Sequence, residues 1–154
     1  MNRAILSSAI EGLVSNYGYD FNRNESSYYP TSVCRYPAAF MSEPEFVSID
    51  GRKHGRITYE ISLHLAQQGA KLAPSERSTL LDEMEQQMLD IFTELSQEEC
   101  VAVVEGLQIS PTQPAIDNHG ALAIVGKAEV QHRVHYLQLQ KAYSYENRNV
   151  LVLC

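Results

Sequence analysis

The first regular pattern of hydrophobic and polar positions along the chain has a helical period. From Arg3 to Tyr17, apolar residues recur at steps of three and four positions. This spacing predicts an amphipathic helix, for which Gly18 is a natural end. Residues 18–32 are rich in Asn, Ser and Tyr and follow neither period, so they predict an exposed loop. In it, Tyr28 and Tyr29 are candidate partner contacts; alternatively, they cover an edge of the core, because tyrosine is commonly half-buried.

Two long segments alternate between apolar and polar residues, as strands with one wet face do. The first spans residues 56–65, with His64 on its polar side. The second begins at Leu122 and continues to Tyr136, and Gly126 indicates a bulge or bend within it. A further extended segment, residues 101–109, ends before Pro111.

An edge strand and a basic hairpin precede the first long strand. Pro37 and Pro44 flank a short apolar run, and residues 46–49 then lead into a turn; neither proline suits a central strand. The connection GRKHG, residues 51–55, predicts a hairpin loop with a basic tip. The candidate partner contacts in this tip are Arg52, Lys53 and His54.

A second amphipathic helix is predicted from Pro74-Ser75 to about Leu95. Its apolar stripe consists of Leu81, Met84, Met88, Ile91, Phe92 and Leu95. The opposite side is polar, at about 100° per residue, and forms a candidate acidic surface. That surface comprises Asp82, Glu83, Asp90 and Glu94.

The order helix, strands, helix, strands predicts one α+β domain over residues 1–154. We expect a mainly antiparallel sheet, with room for a parallel pair, on which the N-terminal helix and the central acidic helix pack. A chain of this length buries about 70% of its unfolded surface, enough for a real core. Residues 137–154 form a C-terminal extension whose apolar end, 150–153, predicts an interaction strand.

The negative charge of the chain is local. The net charge is −7, and residues 75–99 contain eight acidic residues against the single base Arg77, so the remainder is neutral. A protein of this charge is a poor candidate for binding through many phosphate contacts or to an anionic membrane. Only Arg52, Lys53 and Arg56 cluster as bases, which argues against a nucleic-acid adaptor and against sequence-specific DNA binding.

The residues predict no catalytic, cofactor or metal site. His132 and His135 have HxxH spacing, but on a strand they point to opposite faces, and His54, His64 and His119 are expected to be solvated. The acidic pairs of the second helix lie on a convex polar face, unlike catalytic carboxylates. Phosphate-loop, dinucleotide, serine-hydrolase and zinc-protease motifs are absent.

Cysteine use and hydrophobicity indicate synthesis in a reducing cytoplasm. Cys34, Cys100 and Cys154 are an odd, widely spaced set, and Cys100 is expected to be a buried, inert thiol. The N-terminal apolar positions are interrupted by Glu11, unlike a signal peptide, and no apolar run is long enough to span a bilayer.

Taken in order, these features resemble the tail terminator or tail-completion proteins of long-tailed bacteriophages. The similarity covers roughly residues 33–136 and is one of pattern and order. Its parts, after the N-terminal helix, are RYPAAF (35–40), RITYEISLHL (56–65), STLLDEMEQQMLDIFTEL (78–95), VAVVEGLQISP (101–111), DNHG (117–120) and ALAIVGKAEVQHRVHY (121–136).

The resemblance implies a small α+β subunit that assembles into a ring, typically a hexamer. Such a ring caps the tail tube and meets the head connector, in a virion or a prophage-derived particle, and it has no catalytic residues or cofactors. A ring needs a heterologous contact, for which the strand edges near Pro37 and at the C-terminus are available.

Two questions stay open at this level. The acidic helix face either borders a lumen through which DNA passes or is the solvent face of a surface helix. The alternative to an assembly protein is a small α+β ligand-binding domain or enzyme with a site at a subunit interface.

Overall fold

A computed structural model describes residues 2–23, 36–50, 55–69, 71–111 and 122–133. In these ranges the elements are, in chain order, α1 (Asn2–Asn16), β1 (Asp20–Arg23), β2 (Ala38–Met41), β3 (Glu45–Asp50), β4 (Arg56–Gln67), α2 (Pro74–Ser96), β5 (Val101–Pro111) and β6 (Leu122–Arg133). The predicted α+β fold is confirmed.

The six strands form one mixed sheet with the order β1-β2-β4-β6-β5. β1 and β2 are parallel, and the other pairs are antiparallel. The centre is the β4–β6 pair, whose register is continuous from Arg56 opposite Arg133 to Gln67 opposite Leu122. β2 and β3 share the other edge of β4: β3 pairs with residues 56–60 and β2 with residues 63–66.

Both helices contribute to a core on one face of the sheet. The predicted stripe of α2 is confirmed, since five of its six members are buried and Leu81 is partly buried against them. The apolar alternation of β4 supplies Tyr59, Ile61, Leu63 and Leu65 to the same cluster. The helices cover this face because they bury the apolar rows of β4 and β6, which would otherwise be exposed to water.

The prediction of a loop at residues 18–32 is wrong for Asp20–Arg23, which form β1. The Asp20 N–H donates to the carbonyl oxygen of Pro37 at 2.9 Å, and Tyr19 is buried beside this contact. A four-residue strand is too short to display alternation, and its partner follows far along the chain. The remainder of that loop, residues 24–32, lies outside the described residues.

The expectation of an open strand edge near Pro37 is also wrong. Ala38–Met41 form β2, an inner strand between β1 and β4, and all four residues are buried. Ala39 and Met41 join the main core, whereas Ala38 and Phe40 belong to a smaller cluster on the opposite face. Because both faces are covered, the sequence here reads as a short apolar run instead of an alternation.

Gly126 does not mark a bulge. It pairs in regular register with Leu63 of β4 and with Ile109 of β5. A Cβ atom at this position would lie 2.7 Å from Sδ of Met88, so the residue allows α2 to approach the sheet closely. The register shifts occur elsewhere: in β3 between Phe46 and Ser48, and in β5 both between Val101 and Val103 and around Gly106, which has φ 63°.

Candidate interaction surfaces

The predicted contact residues fall into two groups. Five of them lie outside the described residues: Tyr28, Tyr29, Arg52, Lys53 and His54. The four acidic residues of α2 are described, and they differ from one another. Asp82 and Glu83 are exposed, whereas Asp90 and Glu94 are half-buried.

Glu94 is engaged with α1. The Tyr17 hydroxyl donates to Oε1 of Glu94 at 2.6 Å. This hydrogen bond, with burial and the negative charges of Glu94 and Asp90, raises the pKa of Tyr17 to about 12. Asp90 accepts a hydrogen bond from Nε2 of Gln86 at 2.9 Å. The candidate acidic surface therefore divides into an exposed N-terminal half and a half-buried C-terminal half, in which Glu94 ties α2 to Tyr17, the residue that follows α1, and Asp90 bonds within α2.

The N-terminal half is held in place by the start of α2. Pro74 occupies the first helical turn, and the Glu76 carboxylate accepts a hydrogen bond from the Ala73 N–H at 3.2 Å. A carboxylate in the first turn also interacts favourably with the positive end of the helix dipole. The helix thus begins at a defined residue, which fixes where Asp82 and Glu83 emerge.

A second link joins α2 to β4 through Tyr19. Its hydroxyl donates to Oε1 of Gln87 at 2.5 Å and accepts from Nε2 of Gln67 at 3.0 Å. Burial raises the pKa of Tyr19. The sequence places Tyr19 in the predicted loop, so this contact is not visible before the fold is known.

An open groove of about 500 Å³ runs between the end of β4 and the start of α2. Apolar Leu72 and Leu80 share it with the acidic Glu76 and Glu83. Its other described lining residues are Gln67, Gln68, Ser75 and Thr79, so among the described residues no histidine or cysteine contributes to it. The groove continues the acidic surface.

The β3 edge, Glu45–Asp50, is the most unusual apolar surface. All six of its residues are exposed, and three are large hydrophobic side chains: Phe46 at 53%, Val47 at 44% and Ile49 at 50%. Among the described strands, β3 pairs with β4 alone. The sequence predicts an edge strand here, but not that its apolar residues remain uncovered.

The N-terminus of α1 supports the β3 edge. Nε of Arg3 donates to the Pro44 carbonyl oxygen at 2.9 Å, and its guanidinium lies 5.7 Å from the Tyr59 ring centroid. The Phe46 ring contacts Tyr59 edge to face at 6.4 Å. These contacts fix the approach to β3 while leaving half of Phe46 in water.

The β5 edge, Val101–Pro111, lies on the other side of the sheet. Within the described part of the chain, β5 pairs only with β6. Val104, Leu107 and Ile109 are partly buried against the core, while Gln108 and Ser110 are exposed. In the described part of the chain the sheet therefore has three edge strands: β3, which is strongly exposed and apolar, β5, which is half-covered, and β1, which has only four residues.

Two histidines of the central strands, one on each face of the sheet, are shielded from solvent. His64, predicted to be solvated, is half-buried, and burial together with nearby Lys127 lowers its pKa. His132 is fully buried, which lowers its pKa as well. The sequence indicates this burial, because the alternation places His132 on the same face of the strand as Ala128 and Val130. His135, its partner in the HxxH spacing, lies outside the described residues.

Cys100 is buried as predicted, and burial raises the pKa of its thiol. In the described ranges, no three His, Cys, Asp or Glu side chains come together as a metal site would require. Neither helix is long and apolar enough to cross a membrane.

The sequence matches no protein-family model, and no curated protein shows significant similarity to it.

Proposed function

We propose that this chain is a structural assembly protein of the type it resembles: a ring that ends a phage tail tube and joins it to the head connector. The partners are further copies of the chain, the tail tube and the connector, and no catalysis is involved. The observation that supports this most directly is the β3 edge, with three large apolar side chains about half exposed.

An exposed apolar strand needs a cover in the functional state. Proteins ordinarily protect sheet edges with lysines, prolines or short strands, because an uncovered edge pairs with other chains. β3 has acidic residues only at its two ends and one register shift between Phe46 and Ser48. A neighbouring subunit in a closed ring covers such a strand and removes this exposed apolar edge from water.

The exposed half of the acidic surface fits the same proposal. Asp82 and Glu83 lie on the outer side of α2, away from its buried stripe. In the ring we place these carboxylates at the lumen, where a negative wall keeps passing DNA from adhering. This arrangement requires no sequence-specific DNA binding.

The oligomeric state of the full chain tests the proposal. We expect native mass spectrometry to give one closed oligomer larger than a dimer, and negative-stain images to show rings with a central opening. A protein that stays monomeric from micromolar to millimolar concentration rejects the ring. Rings with Asp82 and Glu83 on the outer circumference reject the placement at the lumen only.

A further inference from the structure

We infer that β3 of one copy pairs with β5 of the next copy, so that the sheet continues from subunit to subunit. This inference rests on the proposed ring and names the two surfaces that form its contact.

The two edges stand in the right relation for a ring. β5 is the last strand on one side, and β3 lies on the opposite side, with β6 and β4 between them. A contact between different edges is heterologous, since each copy offers one β3 and one β5. Repetition of such a contact closes into a ring when the rotation fits, whereas contact between identical edges stops at a dimer.

The faces of the two strands also match. Phe46 and Ile49 are paired with Tyr59 and Ile57, which belong to the helix side of the sheet, so they project to that side. On β5 the residues of the helix side are the partly buried Val104, Leu107 and Ile109. A continuous sheet therefore sets apolar residues beside apolar residues, the arrangement in which cross-strand pairs contribute most.

The opposite faces are mostly polar on both strands. Ser48 and Glu45 pair with Thr58 and Glu60 on the face away from the core cluster. On β5, Gln108 and Ser110 occupy that face and are exposed, while Val103, near the other end of the strand, is half-buried on it. A pairing that uses residues 107–110 of β5 thus joins apolar to apolar residues on one side and polar to polar residues on the other.

Charge selects β5 over a second β3. An antiparallel β3 pair that sets Phe46 opposite Ile49 also sets Glu45 opposite Asp50, twice by symmetry. Like charges directly opposite each other destabilise a strand pair. β5 contains a single ionisable side chain, Glu105, so β3 can pair with it in a register in which Glu105 lies opposite neither Glu45 nor Asp50. The remaining edge, β1, has four residues and is too short to cover the six of β3, so the occupant of the β3 edge is β5 of a second copy.

Two variants separate the edges. Ile49→Lys places a charge in the apolar row of β3, and the double variant Gln108→Glu/Ser110→Glu places acids on β5 beside the acidic ends of β3. All three positions are exposed, so folding is preserved, as circular dichroism and thermal unfolding verify. The matched control is Leu89→Lys on α2, since Leu89 is 44% exposed and lies on neither edge.

Native mass spectrometry of the single variants and of their mixture gives the test. We expect each variant alone to be monomeric, the control to assemble like the wild type, and an equimolar mixture to form a 1:1 heterodimer. The heterodimer forms because the β5 edge of the Ile49→Lys chain and the β3 edge of the other chain are both intact.

The contrary results are distinct. If the wild type and the Ile49→Lys variant both form rings, the β3–β5 pairing is overturned and the ring proposal stays in place. If the β5 variant alone forms dimers, and adding Ile49→Lys to it abolishes them, the contact is β3–β3 and the β3–β5 pairing is overturned. A mixture of the two variants that gives no heterodimers also overturns the β3–β5 pairing. A wild-type monomer rejects both the pairing and the ring.

Discussion

Gly126 determines how closely α2 can pack on the sheet. A Cβ at this position would lie 2.7 Å from Sδ and 2.8 Å from Cγ of Met88, and 3.1 Å from Cε2 of Phe92. Both neighbours are buried in the core, so neither can move without disturbing other contacts. We expect Gly126→Ala to lower the free energy of unfolding by about 1–3 kcal/mol through overpacking.

Gly12 provides the opposite control in α1, because a Cβ there meets nothing within 4 Å. Gly12→Ala should raise the free energy of unfolding by about 0.5–1 kcal/mol, the usual gain in a helix interior. Urea unfolding of both variants measures the two effects. A neutral or stabilising Gly126→Ala contradicts the proposed close approach.

His132 makes stability depend on pH. It is buried opposite Ile57 and Val101, and burial lowers its pKa below the ordinary value of 6.5. As pH falls below 6.5, His132 of the unfolded chain binds a proton, whereas the buried His132 of the folded chain stays neutral. The stability that His132 contributes is therefore fully present above pH 6.5 and is lost as pH falls from 6.5 to the pKa of the folded state. The loss is at most about 1.4 kcal/mol per pH unit for one group.

The variant His132→Leu should therefore have a flatter dependence of unfolding free energy on pH than the wild type between pH 5 and 6.5. Urea unfolding at several pH values measures the slope, which is independent of any overall change in stability. His64→Gln is the comparison, because His64 is half-buried on the other side of the sheet and its pKa is also lowered. Equal slopes in His132→Leu and the wild type contradict the assignment.

At the scale of elements, the Tyr17–Glu94 hydrogen bond joins the two helices. It connects the end of α1 to the last turns of α2 at 2.6 Å and has a charged acceptor. A double-mutant cycle with Tyr17→Phe and Glu94→Ala, each of which removes the hydrogen bond, should give a coupling of about 1 kcal/mol. The cycle Gln86→Ala with Asp90→Ala is the control, since that bond joins two residues of α2 one turn apart and is worth about 0.2–0.5 kcal/mol. Equal couplings in the two cycles contradict an interhelix role.

The elements that periodicity predicted are the long ones. α1, β4, α2, β5 and β6 each contain enough residues to display a helical or alternating pattern, and the structure confirms them. β1 and β2 have four residues each, and β2 is buried on both faces, so neither displays a pattern. Their parallel pairing depends on residues far apart in the chain, which local spacing does not encode.

At the scale of the whole molecule, the sequence predicts that the negative charge lies on α2, but not which of its carboxylates are exposed and which are engaged in contacts. The acidic helix was predicted with its apolar underside, and both are confirmed. That Glu94 binds Tyr17 while Asp82 and Glu83 remain exposed follows only from the packing of α1 beside the end of α2. Likewise, the predicted edge strand became a candidate interface only through the exposure of Phe46 and Ile49, which the alternation of residues does not reveal.

The remaining prediction concerns the placement of Asp82 and Glu83 at the lumen of the proposed ring. Replacing both by lysine puts positive charge where DNA passes, so we expect Asp82→Lys/Glu83→Lys rings to bind duplex DNA at least about tenfold more tightly than the wild type at low salt. Glu98→Lys/Glu99→Lys changes the net charge equally at exposed positions beyond the other end of α2. Fluorescence anisotropy with a short duplex, on rings whose mass has been verified, compares the two. If both variants bind equally, net charge alone is responsible and the acidic half of α2 does not face the DNA path; a selective gain by the first variant places it there.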